Sequence, residues 1–174
     1  DIRTVVLTEA KTMYAGGAST PAGSTLYVQI HTMAYNTGTG LYSQTDWFTN
    51  SGFSMKISKL VLEEIGAPPT TSYLYYLSAD DPFTMNRLDV TIPVTSGSAV
   101  SPLTSPTLGY HSYSMHIRQG MTLFVWGWTD SSMEFIDKTT MTIAKTLTGS
   151  FTANFFTVDN LAEDVLFVNE YNSP

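Results

Sequence analysis

The sequence contains no cysteine, so neither a disulfide framework nor a thiolate metal site can be built from it. With 174 residues the chain can bury a core without staples, and the absence argues only against the small disulfide-rich secreted class. Charge is also scarce, at 13% of residues, about half the usual share. The eight basic residues are scattered, Lys56 and Lys59 being the closest pair, and the net charge is −7. Phosphate recognition needs clustered Lys and Arg, so nucleic-acid binding through this chain is disfavoured. No apolar run reaches the length of a membrane helix, and no basic segment followed by an apolar one opens the chain, so no membrane insertion is expected. An Asn-x-Ser/Thr acceptor is missing despite the many hydroxyl residues, which disfavours a glycosylated ectodomain. The first residue is Asp1 rather than Met, which suggests a processed or truncated part of a longer chain.

Hydrophobic residues make up 43% of the chain, and Thr with Ser supply about a quarter of it, well above average usage. Thr, Tyr, Phe, Val and Ile favour strands, while few Ala, Lys, Glu and Arg remain to surface helices. Alternating segments recur with turn signals between them. Residues 3–9 read as a first strand ending in the turn region of Gly16, Gly17 and Pro21. Residues 25–33 place Leu26, Val28 and Ile30 on one side and Tyr27, Gln29, His31 and Met33 on the other. Residues 41–48, 72–77, 87–94, 151–158 and 165–168 read as further strands, and 133–147 as one strand or two. Residues 53–65 are ambiguous between strand and helix, and strand is preferred because no N-cap isolates the second half. Residues 96–109 form a long Ser/Pro/Gly-rich segment and are a functional-loop candidate. The expectation is all-β: a single-domain β-sandwich over residues 1–174, specifically a jelly roll of about eight to ten short antiparallel strands. No fixed sequence period is visible, which disfavours propellers and solenoids.

Catalytic chemistry finds little support. Gly-x-Ser-x-Gly is absent, and a triad assembled from distant residues would leave no spacing signature. His31, His111 and His116 lack chelating spacing, since strand positions five apart face opposite ways. The acidic pairs Asp80–Asp81 and Glu163–Asp164, with Asp159, lack the ordered calcium-loop pattern. Glu63–Glu64 and Asp80–Asp81 are adjacent in sequence, and adjacent strand residues diverge rather than flank a glycosidic bond. No phosphate loop is present. No enzyme activity, cofactor or metal is expected.

The most distinctive stretch is residues 110–128, which read as a β-hairpin joined by Arg118, Gln119 and Gly120. A three-residue loop there would set Ile117 opposite Met121, Met115 opposite Leu123 and Tyr113 opposite Val125. One face is then aliphatic. The other carries Tyr110, His116, Phe124, Trp126 and Trp128 among small hydroxyl residues, with Tyr110 opposite Trp128. Contiguous aromatic patches are rarely left in water. This one is therefore expected to meet an opposing sheet, another subunit or a stacked sugar ring.

In this texture of Thr/Ser-rich, weakly charged strands and long Pro/Ser loops, the chain resembles the jelly-roll structural domains of virus and phage particles. The resemblance implies a non-enzymatic capsid, capsid-surface or spike domain, in a virion or extracellular setting. It would work as a homo-oligomer or with other virion proteins. The acidic charge places it on an outward surface rather than against a genome. The alternative is a carbohydrate-binding β-sandwich, a lectin or binding module, holding a glycan on the aromatic face.

Overall fold

The structure, a computed structural model, describes residues 2–10, 12–17, 29–50, 57–78, 84–92, 99–100, 103–104, 108, 112–117, 122–127, 132–148, 153–158 and 166–170. These form strands and turns, with no helix among the described residues. The all-β class and the antiparallel sheets of a sandwich-like packing are as the composition implies.

Strands β1 (Ile2–Leu7), β2 (Thr12–Gly17), β3 (Gln29–Asn36) and β4 (Leu41–Asn50) make a first sheet in sequence order. A second consists of β5 (Ile57–Ile65), β6 (Thr71–Ser78) and β7 (Met85–Asp89). Two short strands then cross between these sheets: β8 (Ala99–Val100) runs parallel to β4, and β9 (Leu103–Thr104) antiparallel to β7. The third sheet holds β10 (Ser112–Ile117), β11 (Thr122–Gly127), β12 (Ser132–Asp137) and β13 (Ile143–Thr148). In the fourth, β14 (Ala153–Val158) pairs with β15 (Leu166–Glu170).

Several sequence expectations change here. Fifteen strands are formed among the described residues, more than eight to ten, because segments read as turns or loops contribute pairing. Gly16 and Gly17 lie inside β2 rather than in a turn, and the 96–109 segment supplies β8, β9 and the buried Leu108. The jelly roll is not carried by the pairings, since its Greek-key crossovers would join strands distant in sequence. Each sheet here is instead built mainly from consecutive strands. Although no residue pattern repeats, topology does: the first three sheets begin at residues 2, 57 and 112, a spacing of 55 residues each time. Meander topology needs only alternation and turns, so it can recur without recurring residues. The strand preference for residues 53–65 is met by β5 over 57–65, and 53–56 lie outside the described residues.

Why the sheets stack follows from alternation along β6. Leu74 and Tyr76 point into one core with Tyr14, Ile30, Leu60 and Leu88, which joins the first sheet to the second. Tyr75 and Leu77 point into another with Met85, Leu108, Met115 and Ile136, which joins the second sheet to the third. A sheet apolar on both faces must be covered on both, and each fully buried Leu contributes about 1.5–3 kcal/mol. The first strands meet in series: β1 packs on β5, β5 on β10, and β10 on β14.

Turns fix the register. The β5–β6 turn is closed by Thr70 N–H donating to the Ile65 carbonyl at 2.8 Å. Gly66 stands there at φ 101°, with the Pro68 carbonyl oxygen 3.0 Å from where a Cβ would lie. Gly66→Ala therefore meets both a positive φ and backbone crowding, and should cost about 1–3 kcal/mol. Thermal denaturation would show this as a lowered Tm; an unchanged Tm would mean that the turn adopts another conformation. In the β12–β13 turn, Asp137 Oδ1 accepts the amides of Thr139 and Thr140 at 2.8 and 2.9 Å. Those bonds, Thr140 first and then Thr139, hold the Asp137 carboxyl below the usual range. A hydroxyl bond from Thr91, followed by its amide, does the same for Asp89. With folded pKa values depressed, the stability these turns gain is present above the ordinary Asp value of about 3.9 and is lost as pH falls through the folded values. NMR titration should find both carboxylates still ionised where an unperturbed Asp is half protonated.

Candidate contact surfaces and the buried charge cluster

The hairpin that distinguishes the sequence becomes β10 and β11, with a register two residues from expectation. Ile117 pairs with Leu123, His116 with Phe124, Met115 with Val125 and Ser114 with Trp126. A shift of two preserves face membership, because side chains alternate with period two. His116, Phe124 and Trp126 still share one face, and β12 adds Phe135 opposite Phe124 and Met133 opposite Trp126. A register shift between Ser112 and Ser114 breaks the alternation at Tyr113. Tyr110 and Trp128 lie outside the described residues, as do His111, Asp80, Asp81, Asp159, Glu163 and Asp164. For Phe124 and Trp126 the strand register alone is described.

The aliphatic face is core, as anticipated: Met115 and Ile136 are buried against Tyr75 and Leu77, with Ile117 packed beside them. Half-buried His116 has a more open setting. With Met115 it lines a cleft of about 480 Å³ where β1, β5 and β10 converge. Val5, Val6 and Leu7 form one wall and Lys59 to Leu62, with Glu64, another. The cleft combines apolar walls with one residue each of Lys, Glu and His, a lining suited to contact with an amphipathic surface.

The apolar strand that β1 contributes beside this cleft was not singled out from sequence. Pairing places Leu7 opposite Met13 and Met13 opposite Met33, and sets Val5 in a row with Ala15, His31 and Trp47. Val6, Tyr14 and Ile30 occupy the other, packed face. Val5 is 49% exposed and Leu7 53%, while Ala15 in the row of Val5 is 1% exposed, so that face is open at the edge strand β1 and closed at β2. The consecutive Val5, Val6 and Leu7 carried this signal, because an apolar run without alternation belongs to a strand buried on both faces.

A smaller recess of about 430 Å³ lies between the β1–β2 and β5–β6 turns, with Glu9, Tyr14, Glu64, Pro68 and Thr91 in its walls. The Glu9 amide donates to Glu64 Oε2 at 2.9 Å across it. Burial, and then the Glu64 charge, push the Tyr14 hydroxyl upward in pKa. It therefore stays a neutral hydrogen-bonding group. Among the described residues no group of three or more His, Cys, Asp or Glu could hold a metal ion.

Between the second and third sheets lies a cluster of charges. Lys138, from the β12–β13 turn, forms an ion pair with Glu63 on β5, and the two side chains are 8% and 17% exposed. Tyr75 O–H donates to the other Glu63 oxygen at 2.9 Å. Arg87 donates to the Lys138 carbonyl and stacks its guanidinium 5.0 Å from the Tyr73 ring centroid. Burial, then the Glu63 carboxylate, raise the Tyr75 pKa well above its ordinary value, against a smaller opposing effect of Arg87. Tyr75 therefore remains a proton donor at any physiological pH. The cluster ties three elements together with each charge partnered, as burial of charge requires. Sequence showed Glu63 only as one of two adjacent acids; its partner is 75 residues away.

No family model matches this chain, and no curated protein sequence matches it. Among solved structures, a chain from one described as "Crystal Structure of Mitotic Checkpoint Complex" is similar in fold. The TM-score is 0.54 at 13% sequence identity, over 98% of this chain and 61% of that one. This chain thus spans about three fifths of its structural relative. At that identity the likeness concerns the fold alone. The class defined is an all-β protein of antiparallel sheets packed in series.

Proposed function

We propose that this chain is a non-enzymatic structural protein of a virus or phage particle, a capsid, capsid-surface or spike domain that works by assembling with copies of itself. The observation that carries the assembly is the edge strand of the first sheet, where β1 leaves Val5 and Leu7 half exposed beside the apolar cleft it forms with β5 and β10. Monomeric proteins seldom leave such apolar surface in water, and subunit interfaces cover it. The particle setting draws on the weakly charged, Thr/Ser-rich composition, and the net charge of −7 favours an outward position or an extracellular one over a genome-facing wall.

Native mass spectrometry across a concentration series should give a closed symmetric oligomer or particle-associated species. Leu7→Glu should weaken it by about tenfold or more, the effect of charging one well-covered interface residue. A strict monomer at high concentration would remove the proposal.

The carbohydrate-binding alternative is favoured by one observation: His116 lines an open cleft and shares its face, by register, with Phe124 and Trp126. Under that alternative, titration with glycans would change tryptophan fluorescence, and Trp126→Ala would abolish the change. A silent glycan array with flat fluorescence would leave assembly as the reading.

A further inference from the structure

We infer that the recess between the β1–β2 and β5–β6 turns binds a primary alkylammonium group, from a free amine or a lysine side chain. The inference is independent of the assembly reading, because neither Val5 nor Leu7 lines this recess. At about 430 Å³ the recess falls within the range of small-ligand pockets. Pro68, Pro69 and Val90 form its apolar side, enough for a short alkyl stem. Its polar side carries Glu9 and Glu64, with no Lys, Arg or His among the residues that line it.

The hydrogen bonds around the recess run one way. Glu64 Oε2 accepts the Glu9 amide at 2.9 Å, Thr8 Oγ1 the Thr12 amide at 2.9 Å and Thr91 Oγ1 the Ser72 amide at 3.0 Å. The Thr91 hydroxyl in turn donates its proton to Asp89. Backbone donors are thereby satisfied, and the walls present oxygen lone pairs. A surface built of acceptors suits a ligand that brings donors, and carboxylates with no basic residue beside them suit one that brings positive charge. An ammonium group brings both, with three donors and no acceptor. A neutral sugar would bring donors without the charge. Tyr14 supplies an observation independent of the acids. It is 3% exposed, with its ring in the core beside Ile30 and Leu74. Its hydroxyl feels the Glu64 charge, yet no described residue hydrogen-bonds to it. Buried polar groups are normally partnered, and this one borders the recess, where a ligand would supply the partner. The neutral hydroxyl accepts one ammonium proton and the second carboxylate oxygen of Glu64 another.

NMR titration of the isotope-labelled full chain tests this with n-butylammonium, n-butanol and tetramethylammonium. The expected result with n-butylammonium is saturable shifts centred on the amides of Glu9, Tyr14, Glu64 and Ser72. Its dissociation constant should be on the order of 1 mM, as suits a ligand of so few atoms. n-Butanol has the same stem without charge, and tetramethylammonium has charge without N–H donors; each should bind about tenfold more weakly or worse. Glu64→Gln keeps an oxygen for the Glu9 amide and should weaken n-butylammonium by about tenfold, and Tyr14→Phe by about threefold. Nα-acetyl-lysine amide, run in parallel, separates the sources. Tighter binding than n-butylammonium assigns the cation to a protein side chain and weaker binding to a free amine, and either upholds the site. Equal binding of n-butanol or tetramethylammonium would overturn it. So would undiminished binding by a folded Glu64→Gln variant, or no shift with n-butylammonium.

Discussion

Lys138→Met is expected to destabilise the protein by about 3–5 kcal/mol, the cost of leaving a buried charge without its partner. The substitution keeps most of the apolar stem of Lys138 but strands Glu63, which is 17% exposed. Tyr75 remains as a single neutral donor to that carboxylate. Because Arg87 donates to the backbone carbonyl of Lys138, that bond survives, so the loss measures the ion pair and not the turn. The double variant Glu63→Gln with Lys138→Met removes both charges and leaves an amide oxygen to accept from Tyr75. It should recover most of the loss, since neutral replacements of buried pairs are often tolerated. Urea denaturation of the three proteins decides the matter. A single variant within about 1 kcal/mol of the parent would mean that Glu63 reaches water in the folded chain.

Leu74→Ala and Leu77→Ala should each cost about 2–5 kcal/mol, the range for emptying a buried leucine site. Both side chains are 0% exposed, yet they lie three residues apart on one strand and therefore on opposite faces of the second sheet. In a sheet with one solvated face, one of the two substitutions would be nearly silent. In this stack Leu74 belongs to the core shared with the first sheet and Leu77 to the core shared with the third. Equal severity would support the stack; one mild variant would leave that face of the second sheet uncovered in solution. The cores have no residue in common, so the two losses should be close to additive in the double variant.

Much of this architecture was legible because strand alternation is a local property. Thr/Ser/Tyr-rich segments at short spacing with scarce helix formers determined the all-β class. The aliphatic face was legible in Met115 and Ile117, which enter or pack on the core, since face membership depends only on parity. Register was less legible. The pairing of β10 with β11 differed by two residues from the expected one, and the register shift between Ser112 and Ser114 reset alternation where nothing in the residues announced it.

What the sequence by itself determined is the kind of element and the chemistry withheld: strands, no thiols, few charges, no catalytic motif. The order in which sheets stack was decided only in three dimensions. Whether Val5 and Leu7 are core or surface depends on which sheet arrives and from which side. Glu63 finds Lys138 only because two sheets close on each other. Apolar surface is non-directional, so a sequence can state that a face must be covered without naming its cover. The answer lies in long-range packing, and here that packing leaves Val5 and Leu7 half exposed on the edge strand of the first sheet while it buries Ala15 beside them.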